Sequence, residues 1–300
     1  MKNPPKACFR IAHLSDLHMT ADDSASRTEP AFAERLKGMN ENFRRLLKCE
    51  AVQRADLVLI TGDVTDSGER QAWQQFSKAL TDASIAARTL VVLGNHDICG
   101  LRARVGWPKM LKRTDLERAR HGLLSCKQPA KYPWARQFGN QVVVLGLDSN
   151  NSGNLTVVTN AVGRIGFRQL AATAALLHKY RHVPIKIVAL HHSPNIPERA
   201  TSMRRGQPPV GLVARWLHEL PAEDRHGLRL LCITHRVRLV LHGHLHAAED
   251  RAVNGVRIVG APATTQPVKA NGASNALQFY QYAVRWPGGR VERSLKTVTP

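Results

Sequence analysis

The sequence predicts an α/β fold in which strands and helices form separate layers, and three observations lead to this prediction. Short apolar runs typical of buried strands alternate along the chain with longer segments of helical periodicity. Apolar residues make up 43% and charged residues 22% of the 300 residues, which supports a sizeable core and excludes a disordered chain. Polar clusters follow directly after several strands, at the positions where α/β sheets bind ligands.

The amino-terminal half contains three predicted strands, each followed by a polar cluster. Strands are expected at residues 9–14, 56–60 and 89–93, because these runs are short and mostly apolar. The spacing of apolar residues predicts helices over 30–54 and 69–87. The alternation of the two periodicities is typical of parallel strands joined by helices.

The carboxyl-terminal half continues this pattern after a middle segment, 101–136, that reads as irregular and basic. This segment contains ten lysines and arginines but only two acids. Helical periodicity is expected at 210–220 and 223–235. The predicted strands of this half are residues 141–147, 185–190, 238–242, 256–259 and 278–284.

Composition also sets expectations for cellular context. We expect residues 1–300 to form one domain. No apolar run approaches the roughly 18 residues of a membrane-spanning helix, and the first residues lack the apolar segment of a secretory signal. The cysteines form no C-x-x-C pair, so free thiols in a reducing cytoplasm are expected for Cys8, Cys49, Cys99, Cys126 and Cys232.

Five polar motifs follow the predicted strands, and together they favour a metal site. The motifs are D-x-H (Asp16, His18), G-D-x-x-D (Asp63, Asp66), G-N-H-D (Asn95, His96, Asp97), a histidine pair (His191, His192) and G-H-x-H (His244, His246). Carboxylate, amide and imidazole donors suit Mn, Fe, Zn or Ni, and no cysteine joins them. Two such ions clamp a phosphoryl oxygen and activate water, with Asp63 as the candidate bridging ligand.

The ordered set of motifs resembles the calcineurin-like metallophosphoesterase superfamily, and it is most similar to the bacterial class III cyclic-nucleotide phosphodiesterases. The motifs run from Asp16 to His246, so the resemblance covers most of the chain. It implies a four-layer αββα sandwich, in which helices flank two β-sheets. It also implies a site for two divalent metal ions that hydrolyses phosphomonoesters or phosphodiesters through a metal-bridging hydroxide.

The same resemblance implies a role for each motif residue. The first ion would be bound by Asp16, His18, Asp63 and His246, and the second by Asp63, Asn95, His191 and His244. His192 is the alternative to His191. Asn95 and His96 would contact the substrate phosphate, His96 would protonate the leaving oxygen, and Asp97 would orient His96. Asp66 is read as structural support.

The formal charge of +20 and pI near 10.5 favour an anionic partner, and several alternatives follow. The substrate is expected to be a small phosphoester such as a cyclic nucleotide, a nucleotide or a glycerophosphodiester. The alternatives are a nuclease on DNA or RNA, a catalytically silent metal-binding interaction protein, and an enzyme of lipid-linked phosphates. The oligomeric state stays open. Segment 101–136 and the turn 195–209, which contains Arg199, Arg204 and Arg205, are either walls of the substrate pocket or solvated loops.

The other histidines show no ligand spacing. His242 is a candidate neighbour of the metal ligands because it precedes the G-H-x-H motif. We expect surface or packing roles for His13, His121, His178, His182, His218, His226 and His235.

Overall fold

The computed structural model of the chain describes two six-stranded β-sheets and the helices that cover them. The described residues are 8–28, 35–98, 113–150, 161–195, 218, 220–270, 272–286 and 288–299.

The first sheet combines amino-terminal parallel strands with a carboxyl-terminal hairpin. Its parallel strands are β1 (Cys8–Leu14), β4 (Leu57–Thr61) and β5 (Thr89–Val92). The carboxyl-terminal part comprises β12 (Val268–Ala270), β13 (Ala273–Arg285) and β14 (Arg290–Val298). Its order is β12-β13-β1-β4-β5, and β14 also pairs with β13. A separate two-stranded sheet joins β2 (Arg27–Thr28) to β3 (Arg35–Leu36).

The second sheet has a parallel centre and antiparallel edges. Its order is β10-β11-β9-β8-β7-β6. The parallel strands are β7 (Val142–Gly146), β8 (Ile185–Ala189), β9 (Leu239–His242) and β11 (Val256–Gly260). The antiparallel edge strands are β6 (Trp134–Phe138) and β10 (Glu249–Val253).

The described helices flank the two sheets. They are α1 (Met39–Lys48), α2 (Glu50–Gln53), α3 (Arg70–Asp82), α4 (Asn95–Ile98), α5 (Arg113–Ser125), α6 (Phe167–Lys179) and α7 (Ala222–Thr234). Apolar side chains of α1, α3 and α5 pack on the first sheet, and those of α6 and α7 pack on the second. A third apolar cluster fills the space between the sheets. This arrangement confirms the expected four-layer αββα sandwich.

Two segments differ from the sequence-based expectation. The helix expected over 30–54 begins only at Met39, because Gly38 adopts a left-handed φ of 80°, and the extended backbone of Cys49 then separates α1 from α2. The expectation of irregular structure over 101–136 is wrong for its described residues, 113–136, which contain α5 and most of β6. Helix α6 was also not predicted from its alanine-rich sequence.

A buried hydrogen-bond network joins β1 to β4 just before their polar ends. The hydroxyl of Thr61 lies 3.4 Å from the Leu14 carbonyl, to which it donates, and 2.9 Å from His13 Nε2. Tyr282 on β13 contacts the other ring nitrogen of His13 at 3.2 Å. Burial lowers the pKa of His13 to about 3, so the ring is neutral. Its Nδ1 accepts a hydrogen bond from the Tyr282 hydroxyl. The network fixes the relative position of the two strands.

The described helices include none with the length and apolar content needed to cross a membrane. The cysteines in this part of the chain, Cys8, Cys49, Cys126 and Cys232, are free thiols, and burial raises the pKa of Cys232 to about 12.

The cluster between the sheets predicts a large stability loss on truncation. Ile187 in β8 is fully buried there, so Ile187→Ala is expected to lower the free energy of unfolding by about 2–5 kcal/mol. Urea denaturation followed by circular dichroism measures the change. The matched control is Ile233→Ala on α7, where the residue is 43% exposed and the expected change is within about 0.5 kcal/mol. Equal losses in the two variants would contradict this assignment of the core.

Candidate metal centre

The polar motifs meet at the edge of the sandwich where the parallel strands end. Backbone hydrogen bonds join the loops that follow β1 and β4. The Asp16 amide donates to the Gly62 carbonyl at 3.0 Å, and the His18 amide donates to the Asp63 carbonyl at 2.9 Å. These bonds extend the pairing of β1 and β4 into the loops, so the D-x-H and G-D-x-x-D motifs lie side by side.

Four side chains from three loops form one compact group. Ligand atoms of Asp16, His18, Asp63 and His246 all lie within 4.8 Å of one another. The Nε2 atoms of His18 and His246 are 3.2 Å apart, and His246 Nε2 lies 3.5 Å from Asp16 Oδ1. Asp16, His18 and Asp63 are buried, whereas the side chain of His246 is 22% exposed. The structure therefore brings together residues that are up to 230 positions apart in the sequence.

Several of these residues adopt a backbone conformation that non-glycine residues rarely use. Such left-handed positions cost about 1–3 kcal/mol each and persist where the surrounding structure imposes them, often at functional sites. In this chain, residues in this conformation lie in the loops whose side chains meet at the candidate metal centre. The residues and their φ values are Asp16 (53°), His18 (45°), Asp63 (49°), His244 (71°) and His246 (52°).

The carboxylate of Asp63 lies at the centre of the site. Its Oδ2 is 3.7 Å from His18 Nε2 and 3.4 Å from His191 Nε2, and its Oδ1 accepts a hydrogen bond of 2.8 Å from the His96 amide. A Cβ at Gly94 would lie 2.2 Å from the same Oδ1, so this position of the G-N-H-D motif requires glycine. Asp63 is therefore placed to contact two groups of ligands at once.

The second group is built around His191. Its Nε2 lies 2.9 Å from Asn95 Oδ1, and its Nδ1 lies 2.8 Å from the Thr61 carbonyl. Because a carbonyl only accepts hydrogen bonds, Nδ1 carries a proton and Nε2 faces the site. Burial opposes protonation, but the Asp63 carboxylate outweighs it and raises the pKa of His191 to about 9. A position that attracts a proton this strongly also favours a metal cation.

His244 is fixed through both its backbone and its ring. Its amide contacts both carboxylate oxygens of Asp16 at 3.1 Å. The ring centroid is 5.0 Å from that of His191, and Nε2 lies 2.9 Å from Nδ1 of His218. This contact leaves Nδ1 of His244 as the nitrogen for a ligand role. The expectation that His218 has only a surface or packing role is wrong, since it contacts a motif residue directly.

The positions of His96 and Asp97 change one expected role. The His96 ring contacts the Asp66 carbonyl through Nδ1 at 3.0 Å. The Asp97 carboxylate instead accepts hydrogen bonds from the amides of Thr65 (2.8 Å) and Gly94 (2.9 Å). The expectation that Asp97 orients His96 is therefore corrected, because Asp97 joins the loops after β4 and β5. Burial and the nearby Asp63 carboxylate raise the pKa of Asp97 to about 6.

Ser149 is a site residue that the sequence analysis missed. It follows β7 and is fully buried. Its hydroxyl oxygen accepts hydrogen bonds from the amides of His191 (3.1 Å) and His192 (3.0 Å) and lies 2.9 Å from His192 Nδ1. This contact holds the His192 ring, whose centroid lies 4.4 Å from that of His244. A serine after a strand carries no sequence signal for this contact.

Other predicted neighbours are placed only in part. His242 is fully buried, with its Nδ1 3.0 Å from the Gly243 carbonyl and its Nε2 3.9 Å from Glu249. The Asp66 carboxylate lies 3.7 Å from His18 Nδ1, which agrees with a supporting role. Arg199, Arg204 and Arg205 lie outside the described residues, as do residues 101–112 of the basic segment.

The donor chemistry fits divalent metal ions. Carboxylate oxygens, imidazole nitrogens and an amide oxygen suit Mn, Fe, Zn or Ni. The imidazoles of His191 and His96 overcome the effect of burial and lower the pKa of Asp63, so this carboxylate is ionised at neutral pH. Buried charge of this kind is stabilised by a cation. The group around Asp63 is therefore a metal-binding cluster in composition, burial and charge.

Comparison with known proteins agrees with this geometry. The chain is 24% identical to the 3′,5′-cyclic adenosine monophosphate phosphodiesterase CpdA of Pseudomonas aeruginosa, over 97% of this chain and 91% of that protein. It is also 24% identical to the 3′,5′-cyclic-nucleotide phosphodiesterase alr5338 of a Nostoc species, over 91% of this chain and 84% of that protein.

Solved structures share the fold. A dimetal phosphatase from Danio rerio superposes with a TM-score of 0.59 at 14% identity, covering 96% of this chain and 98% of that one. The purple acid phosphatase of yellow lupin gives a TM-score of 0.55 at 13% identity, covering 98% of this chain and 54% of that one. The model of the calcineurin-like phosphoesterase family matches residues 9–248. The chain therefore belongs to the calcineurin-like phosphoesterase family and is a hydrolase of phosphoesters.

Proposed function

We propose that the chain is a two-metal phosphodiesterase that hydrolyses 3′,5′-cyclic nucleotides. The observation that carries the proposal is the position of the Asp63 carboxylate, between the group of His18 and His246 on one side and His191 on the other. The substrate class is supported by the two relatives, which are aligned over most of their length and are named as cyclic-nucleotide phosphodiesterases.

The proposed ligand sets share Asp63. The first ion would be held by Asp16, His18, Asp63 and His246, and the second by Asp63, Asn95, His191 and His244. When bound, such ions polarise the phosphoryl oxygens and lower the pKa of a coordinated water. The chain contributes the orientation of the ligands. The Thr61 carbonyl, for example, fixes the His191 ring so that Nε2 faces Asn95 and Asp63.

His96 is the proposed proton donor. Hydrolysis forms one bond from a water oxygen to phosphorus and breaks one ester bond, so the departing oxygen needs a proton. The His96 ring is partly exposed and packs edge-on against His18 with centroids 4.7 Å apart, while the Asp66 carbonyl holds Nδ1. In the imidazolium form the ring passes its Nε2 proton to the leaving oxygen and keeps the Nδ1 proton on the Asp66 carbonyl. Asn95 and His96 also bind the phosphate, which stabilises the charge that develops on it.

We also propose a domain organisation and a cellular location for the chain. We propose that residues 1–300 form one domain, since the cluster between the sheets draws side chains from both of them. The free thiols favour a reducing cytoplasm, as expected from the sequence.

A substrate panel tests the reaction class and the substrate. The purified protein is assayed with cyclic AMP, bis-p-nitrophenyl phosphate, p-nitrophenyl phosphate, glycerophosphocholine and a random oligonucleotide, each with Mn, Fe, Zn or Ni. We expect the highest kcat/KM for cyclic AMP, with no turnover in excess chelator. A higher kcat/KM for the oligonucleotide would support the nuclease alternative. Full metal occupancy without turnover of any ester would support the silent binding protein.

Substitution of one ligand in each proposed set tests the assignment. Asn95→Ala and His246→Ala are each expected to lower kcat/KM by more than about 100-fold, because a direct ligand matters more than the groups that orient ligands. Metal analysis after gel filtration is expected to show fewer ions per chain than in the parent protein. His226→Ala, at an exposed position on α7, is the control. Parent-like turnover and metal content in either ligand variant would refute the assignment.

Ser149 provides a test of the second ligand set that leaves all ligands in place. Ser149→Ala removes the acceptor that holds the His191–His192 turn and is expected to weaken binding of one of the two ions by about 10–100-fold. Chelator competition with Mn, followed by electron paramagnetic resonance, measures this affinity. The control is Ser193→Ala, a fully buried serine whose hydroxyl contacts only the Asn195 amide among the bonds in the described chain. Equal affinities in the two variants would exclude a positioning role for Ser149.

A further inference from the structure

Two stretches of the chain that belong to the second sheet and its helices contain basic residues but no acidic ones. Residues 149–197 and 225–248 together contain nine lysines and arginines and no aspartate or glutamate. These stretches include α6, β8, most of α7 and β9, which belong to the second sheet and its helical layer. Within these two stretches the basic residues are therefore not offset by acidic residues close to them in the sequence.

Part of this charge lies at the edge of the second sheet that is opposite the candidate metal centre. Lys186 is near the start of β8, and its carbonyl accepts the Arg238 amide at 2.9 Å. Helices α6 and α7 run back from the metal edge and end at the same side. We call the resulting surface the basic edge, and its residues are Lys179, Arg181, Lys186, Arg236 and Arg238.

The cations of the basic edge have no acidic partners within the described chain. Elsewhere on the surface arginines are paired, for example Arg44 with Asp23 at 2.7 Å and Arg54 with Glu50 at 2.9 Å. Lys186 is only 5% exposed, and its Nζ donates to a backbone carbonyl, that of Val183, at 2.8 Å. Burial and the guanidinium groups of Arg236 and Arg238 lower the pKa of Lys186. Because these positive charges repel one another, an external anion bound near them would stabilise them.

Neither helix dipoles nor the metal centre accounts for this charge. The carboxyl ends of α6 and α7 each supply about half a negative charge, which leaves about four of the five positive charges uncompensated. Along β8, the five residue steps from Lys186 to His191 separate the basic edge from the metal centre by about 16 Å. Because the Debye length is about 8 Å at physiological ionic strength, the basic edge adds little to the attraction of substrate to the metal centre. The basic edge is therefore a candidate site for an anionic partner other than the substrate.

The neighbouring apolar side chains point to a bilayer as this partner. On the last two turns of α7, Leu230 is 58% exposed and Ile233 is 43% exposed, next to Arg236. Exposed aliphatic side chains beside cations suit the interface between lipid headgroups and acyl chains. The ring of Tyr180 is covered by Lys179 Nζ at 5.7 Å, which disfavours stacking on a nucleic acid base. We propose that the basic edge, together with Leu230 and Ile233, docks on the surface of a bilayer that contains anionic lipid.

Vesicle binding tests this proposal. The full chain is sedimented with phosphatidylcholine vesicles that either contain or lack phosphatidylglycerol, and binding is expected only with phosphatidylglycerol and to weaken as salt is added. The variant Arg181→Gln, Arg236→Gln, Arg238→Gln is expected to bind these vesicles about 100-fold more weakly. The control with the same charge change, Arg44→Gln, Arg54→Gln, Lys78→Gln, removes paired cations of α1, α2 and α3 and is expected to bind like the parent protein.

A second variant separates a bilayer from a soluble polyanion. Leu230→Ser with Ile233→Ser is expected to weaken vesicle binding while leaving the weak, salt-sensitive binding of an oligonucleotide unchanged. Phosphoester hydrolysis is expected to match that of the parent in all three variants, which shows that they fold and that the metal centre is independent of this surface. The proposal is overturned if the parent does not bind phosphatidylglycerol vesicles, if the two charge variants bind equally, or if only the oligonucleotide is bound.

Discussion

The buried carboxylate of Asp63 is the constraint on which the rest of the site depends. It is 1% exposed, and the basic side chains near it in the described chain are the imidazoles of His18, His96 and His191 rather than lysine or arginine. Removing a carboxylate from water costs several kcal/mol unless a cation compensates. The site therefore selects positive charge, supplied either by protons on the histidines or by metal ions. A metal ion bound at His191 would displace the proton that the Asp63 carboxylate stabilises there.

The backbone around Asp63 is held by interactions that do not themselves contact the candidate ligand atoms. Asp97 accepts amide hydrogen bonds from the loops after β4 and β5, so it fixes the distance between the loop of Asp63 and that of Asn95. The contact between His13 and Thr61 likewise fixes the position of β1 relative to β4, just before the two strands reach these loops. These buried bonds offset the cost of the left-handed turns, which would relax if the loops were free. The strained turns and the bonds that surround them thus form one unit.

The sequence predicts the parallel strands and the motif positions well because each depends on local order. An apolar run that ends in Asp, Asn or His specifies both a strand and a polar group at its carboxyl end, and parallel strands bring these ends together. Ser149 and His218 could not be found in this way, since their contacts with His191 and His244 depend on tertiary placement alone. The early start expected for α1 was wrong because Gly38, rather than Pro30, sets the boundary.

The position of the basic edge also separates two interpretations of a membrane association. An enzyme of lipid-linked phosphates needs its catalytic edge against the bilayer, where the reacting phosphate lies. Here the unpaired cations and the exposed Leu230 and Ile233 lie at the other ends of the strands and helices that lead to His191 and His244. Docking through that surface would leave the metal edge facing the aqueous phase. The proposed docking on a bilayer is therefore compatible with the proposed hydrolysis of a small diffusible phosphoester.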